Sequence, residues 1–72
     1  MIPSEIYLKR IENAMSNIFM TKAQRTATKR NINTLEKRMT KALHNNTIDV
    51  NEYAQVISWL NMCRMILYNE NN

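Results

Sequence analysis

The sequence predicts a small all-α protein, and three observations predict it. The chain has no glycine, and its single proline stands at position 3, so tight β-hairpin turns lack their usual residues. Apolar residues recur at helical spacing in three separate segments. Two capping signatures, at Thr21 and Asp49, divide those segments. The expectation is a three-helix bundle or a helical hairpin that dimerises. Its helices cover about 4–19, 22–44 and 50–69, with no β-sheet. The 72 residues form one domain, and 70–72 fray.

In the first segment Ser4 is placed to cap, following Pro3. Tyr7, Ile11, Ala14 and Ile18 form an apolar stripe, widened by Leu8, Met15 and Phe19. Lys9, Glu12, Asn13 and Ser16 take the other side. This is an amphipathic helix of about four turns.

Thr21 and Gln24 then fit the S/T-x-x-E/Q capping box. The box reads as a new helix start; a single helix over 4–44 is the alternative. The second helix runs from Lys22 to about His44. Ile32, Leu35, Met39, Ala42 and Leu43 stack on one side of its second half only. The first half, "KAQRTATKRN", offers only Ala23 and Ala27 as apolar residues.

"HNNTID" makes the next loop. Asp49 and Glu52 form a second capping box, and Ile48 with Tyr53 fits a hydrophobic staple. The third helix follows from about Val50 to Asn69. So short a loop implies an antiparallel hairpin, with the first helix packed across it.

Tyr53, Val56, Ile57, Leu60, Cys63 and Leu67 form a broad stripe on the third helix. At about 100° per residue, Trp59, Met62 and Ile66 fall to one side of it. A helix apolar most of the way round is usually buried on more than one side. The first helix, a second copy of the chain, or a different protein or membrane are the candidates to cover that flank.

The net charge is +4 and the sequence pI near 9.6. The second helix carries seven cations against one carboxylate, Glu36, a balance of +6. The rest of the chain carries three cations against five carboxylates, a balance of −2. Lys22, Lys29, Arg30, Lys37 and Lys41 wind opposite Ile32, Leu35 and Met39, with Arg25 nearer the apolar edge and Arg38 on the flank. Thr26, Asn33, Thr34 and Thr40 fall among them. Such a face suits phosphate oxygens, and the polar first half is placed to project into a groove. A solvated helix face is the plainer account of the same pattern.

Catalytic chemistry is missing. His44 stands alone in a polar stretch, where it suits the C-terminal end of a helix dipole. Cys63 lies in an apolar stripe, as a packing residue does. These two are the only good nitrogen and sulfur ligands, and zinc usually takes four, so no metal or other cofactor is expected. No segment has the roughly 20 apolar residues of a membrane span. The first residues do not read as a secretory signal, which leaves the "NNT" sequon at Asn45 without its compartment. The expected location is the cytoplasm. Abundant Asn, Lys, Ile and Met suggest an AT-rich coding sequence, as in phages and plasmids.

The functional expectation is a basic nucleic-acid-associated protein that binds and does not catalyse, with no small-molecule substrate. Its contact residues are Lys22, Arg25, Lys29, Arg30, Lys37 and Lys41, and Trp59, Met62 and Ile66 form a homodimer or partner seam. The alternative is a protein-binding adaptor or inhibitor that uses the flank of the third helix.

Overall fold

The computed structural model describes residues 4–17 and 19–69, which form three α-helices and, among the described residues, no strand. The helices are α1 (Ser4–Met15), α2 (Lys22–His44) and α3 (Val50–Asn69). The second and third match their expected bounds. The first is shorter than expected. Ser4, expected as its cap, is already helical, and the preceding position lies outside the described residues, as do Ile18 and the 70–72 tail.

α1 stops at Met15 for a local reason. The Ser16 hydroxyl donates to the Glu12 carbonyl at 3.0 Å, and the Asn17 N–H reaches only three residues back, to Ala14. The Asn17 side chain then accepts from the Phe19 N–H at 3.1 Å and turns the chain. The expected stripe therefore loses Phe19, which stands in the turn and is 83% exposed.

The Thr21 box forms in both directions. The Thr21 hydroxyl accepts from the Gln24 N–H at 3.1 Å, and the Gln24 side chain accepts from the Thr21 N–H at 2.8 Å. Two of the four orphan donors at the start of α2 find partners this way. The break between α1 and α2 is real.

Without glycine, α2 ends on asparagine. Asn46 takes a positive φ of 61°, a conformation that asparagine tolerates better than most residues. The Asn46 N–H donates to the Leu43 carbonyl and the Thr47 N–H to that of Ala42, the paired bonds of a Schellman ending. Asp49 then starts α3 by accepting from the Glu52 N–H at 2.7 Å. Ile48 and Tyr53 both pack against the core.

Ile11 from α1, Ile32, Leu35 and Met39 from α2, and Leu60, Cys63 and Leu67 from α3 are buried together, with Met20 from the turn. Five of them (Ile11, Ile32, Leu35, Leu60 and Leu67) are large and fully buried. Each such side chain contributes about 1.5–3 kcal/mol of burial. Among the described residues, Thr28 is the buried polar one. Its hydroxyl donates to the Gln24 carbonyl at 2.7 Å and lies 3.7 Å from the Met20 sulfur, so burial leaves it satisfied.

α2 is the central helix. α3 runs antiparallel to it: Tyr53 meets Thr40 at 3.2 Å near the loop, Arg64 meets Asn33 at 2.9 Å, and Tyr68 meets Lys29 at the far end. α1 packs antiparallel on the other flank, where the Arg38 guanidinium sits 5.0 Å from the Tyr7 ring centre. α1 and α3 hardly meet each other. The result is a slab of 38 × 23 × 16 Å in which one face of α2 stays open.

Candidate nucleic-acid interface

Winding α2 at about 100° per residue explains the open face. Ile32, Leu35 and Met39 point into the core; α3 covers one flank and α1 the other. The remaining side carries Lys22, Arg30, Lys37 and Lys41, all exposed. They spread along about 28 Å of helix. Thr26 and Asn33 are exposed among them, and Thr34 is half-buried.

Glu36 is the one carboxylate on this helix, and it does not break the ridge. Its side chain pairs with Arg64 of α3, which also donates to Asn33 at 2.9 Å and Asn61 at 3.1 Å. A basic residue of α3 thus neutralises the acid of α2, and the ridge outside stays cationic.

The other expected contact residues sit elsewhere. Arg25 and Lys29 are half-buried on the α3 side of α2. The Lys29 ammonium lies 4.5 Å from the Tyr68 ring centre, in cation–π range. Both cations follow Ile32 by less than a quarter turn around the helix, so the α3 seam takes them first. Arg38 turns the opposite way, to Tyr7, which also has Arg10 at 5.6 Å. The structure gathers four of the six expected residues on one open face.

On α3 the expected flank divides. Trp59 is half-buried and packs against the core. Met62 is 60% and Ile66 45% exposed, and Met65 joins them at 65%. α1 is too far round α2 to cover this side.

Sequence reasoning missed a groove of about 300 Å³ between α1 and the first half of α2, where amide side chains alternate with Ala14, Met20 and Ala27. Arg10, Asn13 and Asn17 line one wall, and Gln24, Thr28 and Asn31 the other; among the described residues no carboxylate lines it. The sequence places Asn13 on the solvated side of the first helix and gives Asn17 and Asn31 no role. Only the antiparallel packing of α1 on α2 brings them together. A second groove, of about 390 Å³, has an apolar floor of Leu35 and Met39 but carries Glu5 and Glu52, which repel phosphate.

Among the described residues, no group of three or more His, Cys, Asp or Glu is placed to hold a metal ion. No described helix is long and apolar enough to cross a membrane. Cys63 is buried, and burial pushes its thiol above the ordinary range, against a smaller opposing effect of a backbone hydrogen bond. No family model, curated protein or solved structure matches this chain.

Proposed function

We propose that this protein is a small basic nucleic-acid-associated protein that acts by binding, through phosphates held along the open face of α2. The observation that carries the reading is the separation of charge. Four exposed cations share one face, and the only acid of that helix is tied down by Arg64. Hydroxyls and amides beside the cations supply neutral contacts to phosphate and sugar. Arg25 and Lys29 act from the edge of the ridge. No cofactor or small-molecule substrate enters this reading. The Asn- and Lys-rich, glycine-free composition fits a phage or plasmid source and action in the bacterial cytoplasm.

A homodimer through Met62, Met65 and Ile66 belongs to the same proposal. It doubles the number of ridges and covers apolar area that stays exposed in one copy. The same exposed residues support a second reading, an adaptor or inhibitor whose partner is another protein.

Binding to random duplex DNA and to RNA across a salt series tests the first reading. Four phosphate contacts predict a slope of log affinity on log salt near −3 to −4 for duplex DNA. No binding to either at low salt overturns it.

A further inference from the structure

We infer that the nucleic acid this protein takes is single-stranded, with one unpaired base stacked on Phe19 and an adjoining base edge in the amide groove between α1 and α2. The inference rests on the nucleic-acid reading and sharpens it. Three observations carry it together.

The first is Phe19 itself. It stands in the turn between α1 and α2 with 83% of its surface exposed, and the Asn17 side chain holds its N–H at 3.1 Å. A large aromatic held out in water on a short, hydrogen-bonded turn is a platform for a planar partner. In a duplex the base faces are already stacked on one another; in a single strand they are free.

The second is the groove next to it. Asn17 and Met20, on either side of Phe19 in the turn, both line this groove. Asn13 and Asn31 each carry a donor and an acceptor on one side chain, and Asn17 and Gln24, whose oxygens already accept from Phe19 and Thr21, add their amide donors. That pairing matches the mixed donors and acceptors of an unpaired base edge. A volume of about 300 Å³ is generous for one base and too small for a duplex.

The third is charge. Arg10 lines the groove, Lys22 follows Phe19 by three residues, and Arg30 stands on the open face of α2, about 100° round the helix from Asn31. A strand whose bases enter at Phe19 and the groove finds these cations for its phosphates, and among the described residues no carboxylate lines the groove.

Fluorescence anisotropy with labelled oligothymidine, oligouridine and a random duplex, at one low salt concentration, tests the inference. Wild-type protein is expected to prefer the single strands. Phe19→Ala is expected to weaken single-strand binding about tenfold and to leave duplex binding and helix content unchanged, since the ring is outside the core. Phe19→Trp is expected to keep the affinity, and the added indole emission to be quenched by the strand. Asn13→Ala with Asn31→Ala should also weaken single-strand binding and spare the duplex. Binding to duplex alone, or equal binding of wild type and Phe19→Ala to single strands, overturns this inference and leaves the ridge reading standing. No binding to any of the three overturns both.

Discussion

Arg64 of α3 reaches across the seam to Glu36 of α2 and takes that helix's only carboxylate out of its cationic face. The pair is partly exposed, at 25% and 39% of side-chain surface, so its direct worth to folding is small, up to about 1 kcal/mol. Its larger effect is on the field of α2. Glu36→Gln is expected to leave the melting temperature nearly unchanged and to tighten nucleic-acid binding at low salt. Arg64→Met releases the acid and is expected to weaken binding. A salt titration of both variants, with thermal melts alongside, checks the two signs.

Ridge and seam cations should separate in the same assay. Arg30→Ala and Lys37→Ala are each expected to remove about one unit from the salt slope, at a stability cost within about 0.5 kcal/mol. Lys29→Ala removes the contact with Tyr68 instead. It is expected to cost about 0.5–1 kcal/mol of stability and to change the slope less. Equal slopes for wild type, Arg30→Ala and Lys37→Ala mean that the open face of α2 does not touch phosphate.

The contrast between those residues shows what was legible in the sequence. Helix number and the bounds of α2 and α3 were readable because Thr21, Gln24, Asp49 and Glu52 act within a single turn. The end of α1 was not, because Ser16 and Asn17 stop it with side-chain bonds that carry no strong sequence signature. The angular order of cations on α2 was readable as well. Which of them stay free depends on where α3 lies, and no spacing within α2 records that. Lys29 and Lys37 look alike in sequence, yet only one faces Tyr68. The groove of Arg10 and Asn31 was hidden for the same reason, since it belongs to two helices at once.

Trp59 and Met62 were expected to act as one seam, and they should now behave differently. Trp59 packs on the core, so Trp59→Ala is expected to cost about 2 kcal/mol, less than a fully buried tryptophan. Met62→Lys with Ile66→Lys touches exposed side chains and should leave the helix content intact. Sedimentation equilibrium is expected to give twice the 8.6 kDa chain mass for wild type and the single mass for the lysine variant. A wild-type monomer at high concentration removes the dimer from the proposal.

Cys63 supplies a pH test of the core itself. Its side chain is buried, at 3% exposure, between Leu60 and Leu67 on the same face of α3. Loss of water disfavours the thiolate and raises the folded thiol above its ordinary range, although a backbone hydrogen bond works against this. The unfolded chain therefore gives up the proton first. Between the unfolded and folded values the native state holds more protons, so stability falls as pH rises. The contribution is complete below the ordinary thiol range and is lost through the alkaline window above it. Denaturant melts of wild type and Cys63→Ala should thus converge as pH climbs, because the alanine variant has no thiol to ionise. At neutral pH an aromatic disulfide reagent should label Cys63 at the rate of opening of the core and not at the rate of a free thiol. Fast labelling of the folded protein means that α3 does not bury this face.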